Sequence, residues 1–396
     1  MKPAESFPLR GPNLSLVFFV IVFAQFCGTS LWFAGNAVVT SLQEIFQWPP
    51  GSTGHVTTAV QAGFIAGTLL VTLTGLSDRM SPSRLFFFSC CVGALCNCIP
   101  LISAGSFPLA LASRFFTGVC LGGIYPVGMK IAADWREHGL GDWLGALVGA
   151  LVLGTALPHA LKSVDTISHP EILLPVISAI ALGGGLILLV VVPDGPFRKQ
   201  STRFTLSHIS HTLKTRTIRA PMLGYFGHMW ELYTFWALVP WIISRYLNSW
   251  QLPLNQASLF SFMVIAIGGF GCWAGGKLSL RFGSTSVART ALFISGICCL
   301  LSPAMWHIPL PLFLIFLLVW GLTVVSDSPQ FSALVATNAP AEARGTLLTF
   351  ATCIGFAITI ISIQTVNALS AVISNDYLLL FLVPGPVLGL MATFRK

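Results

Sequence analysis

Long apolar stretches recur along the whole sequence, and they limit the chain to a fold that spans a lipid bilayer. An α-helix needs about 20 apolar residues to cross the hydrocarbon core. Only 9% of the 396 residues are charged, whereas a soluble protein carries about 25%, so most of the exterior must face lipid. We predict an all-α membrane protein with twelve transmembrane helices at residues 14–39, 54–75, 84–104, 107–132, 141–163, 172–193, 220–244, 255–276, 287–305, 309–336, 345–370 and 376–394.

The distribution of Lys and Arg predicts the topology. An even number of helices puts both termini on one side of the membrane. If that side is the cytoplasm, the cytoplasmic segments hold 18 of the 21 basic residues, whereas Lys162 and Arg245 fall in external loops. The positive-inside rule therefore predicts two cytoplasmic termini. Basic loops beside a membrane also account for the net charge of +8, and the sequence predicts no nucleic-acid partner.

The chain divides into two similar halves. Residues 194–219 form the longest polar stretch, which predicts a cytoplasmic linker between six-helix bundles at 1–193 and 220–396. Internal repeats of this kind are typical of secondary transporters, in which the halves rock around a site near the membrane midplane. The pairs that match at a shift of 202 or 203 residues are Trp48 with Trp250, Gly67 with Gly269, and Pro126 with Pro329.

The loop after the second predicted helix carries a recognisable pattern. Gly75 precedes Asp78 and Arg79, and Arg84 adds a further basic residue. The corresponding loop of the second half, at 275–283, is also basic and flanked by glycine, but it lacks the aspartate. The first loop resembles the signature loop of the major facilitator superfamily.

A second stretch carries the same resemblance. Arg114 and Gly118 lie four residues apart on helix 4, as in the second signature of that superfamily. The resemblance implies two pseudo-symmetric six-helix bundles, a central cavity lined by helices 1, 4, 7 and 10, and a monomeric protein. It also implies that Asp78 latches the halves in the outward-open state, and the expected partner is the start of helix 11 near 343–345.

Within the superfamily, the sequence looks similar to bacterial members grouped with nitrate/nitrite and cyanate porters. This implies a location in the bacterial inner (cytoplasmic) membrane. The doubled glycine-rich signature of nitrate porters is absent from helices 5 and 11. The group name therefore assigns no substrate.

Polar side chains inside the predicted spans are the candidate functional residues, because polar groups in lipid are costly unless they serve a purpose. Most lie on the helices expected to line the cavity. The candidates for substrate contact or proton coupling are Gln25 on helix 1, Arg114 on helix 4, His228 and Glu231 on helix 7, and Asp327 and Gln330 on helix 10.

Glu231 is the leading candidate for proton coupling. It lies about eleven residues into predicted helix 7, near the midplane, and a carboxylate in a low-dielectric cavity can load and release a proton near neutral pH. His228 lies three residues earlier on a similar face and can relay that proton. The alternative is that Glu231 pairs with a basic group and only holds the protein together.

Arg114 and Asp327 also allow two interpretations each. The planar fork of Arg114 suits a carboxylate, phosphate or nitrate, but the same side chain can cap backbone carbonyls. Asp327 precedes Pro329, which is expected to break helix 10 as Pro126 breaks helix 4, and paired breaks of this kind indicate a binding or moving region. Asp327 can alternatively serve as the N-cap of the helix after the break.

These observations leave three functional hypotheses. The first is proton-coupled import of a small organic or inorganic anion, which rests on Arg114. The second is proton-antiport export of an amphipathic compound such as a drug or metallophore, and the third is a receptor or scaffold without transport. The second rests on the aromatic residues of the cavity helices, namely Trp32, Phe33, Tyr125, Trp230, Tyr233 and Trp236.

Enzymatic and metal-dependent functions find no support in the sequence. There is no phosphate-binding GxxxxGK[ST] loop, and no nucleophile lies in a recognisable catalytic pattern. The ten cysteines are scattered through apolar spans without a CxxC pair, which is typical of small buried hydrophobic residues. We therefore predict a protein that is not an enzyme, with no cofactor and no metal site, whose partners are a small-molecule substrate, protons and the lipid bilayer.

Overall fold

The computed structural model describes residues 13–136, 140–198, 214–340 and 342–394. In these ranges the regular secondary structure is entirely helical, which confirms the predicted all-α class. The transmembrane helices are α1 (Leu14–Phe46), α2 (Ser52–Thr74), α3 (Pro82–Ile102), α4 (Phe107–Trp135), α5 (Leu140–Lys162), α6 (Pro170–Val191), α7 (Arg216–Ser249), α8 (Leu254–Phe282), α9 (Ser284–His307), α10 (Leu310–Asn338), α11 (Arg344–Leu369) and α12 (Leu378–Phe394).

Ten of these helices are long and apolar enough to cross a membrane. The other two are α12, which is shorter, and α7, whose 34 residues carry more polar side chains. The helix ends differ from the predicted spans by four residues or more in α1, α7 and α8, and α8 ends at Phe282 instead of residue 276. Helix α1 continues to Phe46 instead of residue 39, since the first proline after it is Pro49. Helix α7 begins four residues earlier and ends five residues later than predicted, because polar residues extend a helix beyond its apolar part.

Three of the helices consist of two α-helical segments each. Helix α1 consists of Leu14–Thr29 and Leu31–Phe46, and α4 consists of Phe107–Gly122 and Tyr125–Trp135. Helix α10 consists of Leu310–Ser326 and Ser328–Asn338. Pro126 and Pro329 each lie in the first turn of a second segment, where the missing N–H of proline costs no helical hydrogen bond.

Glycines hold neighbouring helices within each half in backbone contact. A Cβ atom added to Gly118 of α4 would lie 2.1 Å from the carbonyl oxygen of Val60 in α2. In the second half, a Cβ atom on Gly321 of α10 would lie 2.0 Å from the carbonyl oxygen of Val264 in α8. No side chain larger than hydrogen fits at either crossing.

The helices pack as two bundles that meet along two seams. Helices α2 with α4 and α3 with α6 pack within the first half, and α7 with α12 and α8 with α10 pack within the second. Between the halves, α5 packs along α8 and α2 along α11. Near the predicted external ends of α2 and α11, Nε2 of Gln364 donates a hydrogen bond to Oγ1 of Thr58 at 2.6 Å. This contact joins the halves at that end.

Candidate functional site

Aromatic rings join the two halves at the centre of the molecule. The ring of Trp32 in α1 lies 5.7 Å from that of Tyr233 in α7 and 5.6 Å from that of Phe356 in α11, centroid to centroid. The ring of Phe64 in α2 lies 4.5 Å from that of Phe356. These distances are those of stabilising aromatic pairs. We call this set the interface cluster; its members are Trp32, Phe33, Phe64, Tyr125, Tyr233, Trp236 and Phe356.

The interface cluster contains polar edges as well as apolar faces. Trp32 and Trp236 are both 0% exposed, and Nε1 of each indole has no hydrogen-bond partner within the part of the chain that the structure describes. Gln61 lies one helical turn before Phe64 in α2. Both of its amide atoms are buried and have no hydrogen-bond partner among the described residues. Buried polar atoms without partners are uncommon and cost free energy, so they mark a candidate binding position.

The predicted site residue Gln25 lies two helical turns before Trp32 in α1. It is fully buried, and both its amide atoms lack a hydrogen-bond partner among the described residues. Its Oε1 atom packs against α4, where a Cβ atom on Gly128 would lie only 2.0 Å away. Gln25 therefore lies between two of the interrupted helices, below the interface cluster.

Glu231 is directed into the second half instead of toward the interface cluster. The side chain is 1% exposed. Its Oε1 accepts hydrogen bonds from Nε1 of Trp320 at 2.6 Å and from Sγ of Cys299 at 3.2 Å, and its Oε2 accepts one from Oγ of Ser295 at 3.1 Å. Glu231 and Tyr233 are two residues apart, hence about 200° apart around α7. The carboxyl group thus connects α7 to α9 and α10 on the opposite side of the helix from the cluster.

His228 and Asp327 form a second buried polar contact in the same half. Nδ1 of His228 lies 2.7 Å from Oδ1 of Asp327, and both side chains are buried. Asp327 occupies the interruption of α10, between the segments that end at Ser326 and begin at Ser328. An imidazole and a carboxyl group at this distance can hold a proton on either partner. Gln330 is buried one turn further along α10.

Arg114 is buried within the first half. Its Nη2 donates hydrogen bonds to the backbone carbonyl oxygens of Leu31 at 2.8 Å and Trp32 at 2.7 Å, and its Nη1 donates one to Oδ1 of Asn97 at 3.1 Å. The guanidinium group thus binds the first turn of the second α1 segment, directly behind an interface-cluster residue. These contacts correspond to the carbonyl-capping alternative, and the anion-binding role stays a prediction.

The loop between α2 and α3 is fixed by residues of its own half. Gly75 begins it with φ of 61°, a left-handed conformation that favours glycine, and Oδ1 of Asp78 lies 3.5 Å from Nζ of Lys130 in α4. Nη2 of Arg198, just after α6, donates hydrogen bonds to the carbonyl oxygens of Asp78 at 3.0 Å and Met80 at 2.8 Å. The latch between Asp78 and α11 stays a prediction.

Two further basic residues of this loop border a surface cavity of about 860 Å³. Arg79 and Arg84 are exposed and line it together with Arg198. These loop residues follow the end of α2, whose residue Phe64 belongs to the interface cluster.

Several residues that complete these sites were not predicted. Asn97 is an amide within an apolar span, so the rule that selected Gln25 could have selected it. Trp320, Cys299 and Ser295 carry no such signal, because Trp, Cys and Ser are common in membrane helices. Phe64 and Phe356 resemble any other apolar residue of a span in the sequence.

Two packed helical bundles, interrupted helices at the centre and buried ionisable groups together define a membrane transporter.

Comparisons with known proteins identify the family. A family model described as Major Facilitator Superfamily matches residues 17–363, so the chain belongs to that superfamily and transports a solute by secondary transport. The uncharacterized MFS-type transporter YE1530 of Yersinia enterocolitica is 25% identical over 275 residues, which cover 68% of this chain and 69% of that protein. The uncharacterized MFS-type transporter YcaD of Salmonella gallinarum is 25% identical over 276 residues, with the same coverage of 68% and 69%.

Solved structures show the same fold. A crystal structure of a mutant of the nucleoside transporter NupG matches with a TM-score of 0.74 at 14% identity, covering 97% of this chain and 100% of that one. A bacterial homolog of the human lysosomal transporter Spinster, inward-facing and unoccupied, matches with a TM-score of 0.70 at 12% identity, covering 96% and 94%. The predicted MFS fold is confirmed. This family and fold belong to transporters, not to enzymes.

Proposed function

We propose that the protein moves an amphipathic solute by alternating access between its two halves, with proton antiport as the driving reaction and export as the direction. The interface cluster is the observation that carries this proposal. Its rings come from both halves, so any rocking of one half against the other separates Trp32 from Tyr233 and Phe356. A solute that passes between the halves meets these rings.

The proton is proposed to bind in the second half, at Glu231 and at the His228–Asp327 contact. A protonated Glu231 loses the charge that Trp320, Cys299 and Ser295 donate to, and charge-assisted hydrogen bonds are about twice as strong as neutral ones. Protonation therefore weakens the connection of α7 to α9 and α10. A proton gained or lost at the His228–Asp327 contact changes the charge at the α10 interruption.

A second candidate is proton-coupled import of a small anion, and Arg114 is the observation that favours it. The guanidinium group carries a fixed charge next to the backbone of Trp32. All three of its contacts are nevertheless supplied by the protein itself, whereas the interface cluster consists of uncharged rings. This difference supports the amphipathic solute over the anion.

The setting of the transporter is part of the same proposal. Both termini are placed in the cytoplasm and the protein in the bacterial inner membrane, with a monomer as the working unit. The asymmetry of the Lys and Arg residues supports the topology. A cysteine-labelling experiment on intact cells tests it: a cysteine introduced at Glu44 should react with an impermeant reagent, and one introduced at Arg219 should not.

Proton coupling is tested in proteoliposomes that contain a pH-sensitive dye. A panel of small anions and of amphipathic aromatic compounds is applied, and solute-driven proton movement is recorded for the wild type and for Glu231→Gln. The exposed residue Glu171 supplies the matched control, Glu171→Gln. We expect Glu231→Gln to abolish proton movement and Glu171→Gln to retain it. Proton movement in Glu231→Gln at the wild-type rate would contradict the coupling, and binding without flux would indicate a receptor.

A further inference from the structure

The interface cluster also indicates the chemistry of the ligand that it accepts. We infer that the solute is a flat, uncharged aromatic or heteroaromatic compound whose edge carries hydrogen-bond acceptors such as carbonyl oxygens or ring nitrogens. It binds between Trp32 on one side and Tyr233 and Phe356 on the other. This inference rests on the proposed function, since it names the class of solute that passes between the halves.

The faces of the ligand follow from the ring contacts. Trp32 is stacked on both Tyr233 and Phe356, with interplanar angles of 24° and 26°. When the halves separate, these faces lose their partners and become exposed to water, which is unfavourable for apolar surface. A flat apolar ring inserted between them restores a contact on each side. A small anion or an aliphatic compound restores neither stack.

The edge of the ligand follows from the unpaired indole groups. Nε1 of Trp32 and Nε1 of Trp236 belong to cluster rings that are fully buried, and neither has a hydrogen-bond partner in the described ranges. An indole N–H can only donate a hydrogen bond. The group that pairs with it must therefore accept one. The unpaired amide of Gln61, one turn from Phe64, adds a donor and an acceptor beside the cluster.

The charge of the ligand follows from the position of the ionisable groups. Arg114 is bound to two backbone carbonyls and Asn97, and Glu231 is bound to three donors of the second half. None of these hydrogen bonds involves a ring of the interface cluster, and Nε of Arg114, which has no partner in the described ranges, packs against Gly35 of α1. Moving an unpaired anion into such an environment is costly. A cationic group is attracted by ring faces, but an ammonium or guanidinium group only donates hydrogen bonds and cannot pair with either indole N–H.

The inference is tested with defined probes on the purified full-length protein in detergent. Caffeine and coumarin are flat, uncharged and carry acceptors, cyclohexanecarboxamide is not flat, and benzoate and nitrate are anions. Binding is measured by calorimetric titration and by thermal stabilisation for the wild type, Trp32→Phe and Trp236→Phe. These two substitutions keep an aromatic face and remove the N–H. Trp273, which is 52% exposed on α8, supplies the matched control Trp273→Phe.

We expect caffeine or coumarin to bind the wild type and Trp273→Phe alike, and to bind Trp32→Phe and Trp236→Phe about fivefold more weakly, the effect of one lost hydrogen bond. Equal binding by all four proteins would overturn the inference that acceptors on the edge of the ligand pair with the indole N–H groups. Binding of benzoate or nitrate in preference to the uncharged probes, or of no flat probe at all, would overturn the ligand class.

Failure of the ligand class is distinguishable from failure of the proposed function. If another solute drives proton movement that requires Glu231, the transport proposal stands and the ligand class is wrong. If caffeine or coumarin binds as expected but no solute moves protons, the ligand class stands and the coupling is wrong.

Discussion

Arg114 provides the sharpest test of how the first half is held together. The structure gives its guanidinium group three hydrogen bonds, two to the carbonyl oxygens of Leu31 and Trp32 and one to Asn97. The substitution Arg114→Lys keeps the positive charge but removes the fork, and a single ammonium group on a shorter side chain can reach at most one of these acceptors. Two charge-assisted hydrogen bonds are then lost.

The expected cost follows from this count. Hydrogen bonds to charged groups contribute about 1.5–3 kcal/mol each, so Arg114→Lys should lower the free energy of unfolding by about 3–6 kcal/mol. The matched control is Arg245→Lys. Nη2 of Arg245 lies 2.7 Å from Oδ1 of Asp376 in a partly exposed ion pair, and pairs of this kind contribute about 0–1 kcal/mol.

Unfolding by a denaturing detergent in mixed micelles, followed by far-UV circular dichroism, measures both variants. A double-mutant cycle with Asn97→Ala isolates the Nη1 contact, because the bonds of Asn97 to Leu174 and Ser178 are lost in both arms and cancel. We expect a coupling energy of about 1 kcal/mol. Stability of Arg114→Lys within 1 kcal/mol of the wild type, or a coupling energy of zero, would refute the stabilising role of these hydrogen bonds. Arg114 would then be available to bind an anion.

Three further predictions concern other parts of the molecule. Gly118→Ala should abolish monodisperse folded protein in size-exclusion chromatography, whereas Gly183→Ala, with open space around its Cβ position, should not. His228→Gln and Asp327→Asn should each reduce flux, and the double variant should lose less than the sum of the two, since the pair shares one contact. Asp78→Asn should slow transport in proteoliposomes and leave the solute affinity from calorimetry unchanged, because Asp78 lies in the loop and not at the cluster; a changed affinity would contradict this assignment.

The sequence was sufficient for the features that depend on neighbouring residues. Hydropathy is a local property, so the spans could be counted. The largest displacements of helix ends occur where polar residues extend α7 and α8 and where no proline stops α1 before Pro49. The interruptions of α4 and α10 were also predictable, because proline acts on its own turn of helix. The interruption of α1 near Ser30 has no proline and was not predicted.

The direction in which a side chain points could not be predicted in the same way. Helical periodicity fixes the angle between Glu231 and Tyr233, but it does not tell which of the two faces the other half. That choice depends on the packing of α9 and α10 against α7, through residues such as Cys299 and Trp320 that carry no polar signal of their own. For the same reason Phe64 and Phe356 could not be separated from lipid-facing phenylalanines.

Each half contains a buried ionisable group that joins three of its helices, and the two groups differ in whether they can exchange a proton. Arg114 joins α4 to α1 and α3, and Glu231 joins α7 to α9 and α10; Asn97 and Cys299, which bind them, are related by the repeat shift of 202 residues. Arginine does not release its proton in proteins. The hydrogen bonds of Arg114 therefore keep their charged donor and hold the backbone of Trp32 in place. Glutamate can be neutralised by a proton, so the hydrogen bonds that Glu231 accepts can be strengthened or weakened. Under the proposed function, Trp32 of the first half therefore forms a fixed side of the binding position. The proton acts on the opposite side, which α7 of the second half forms.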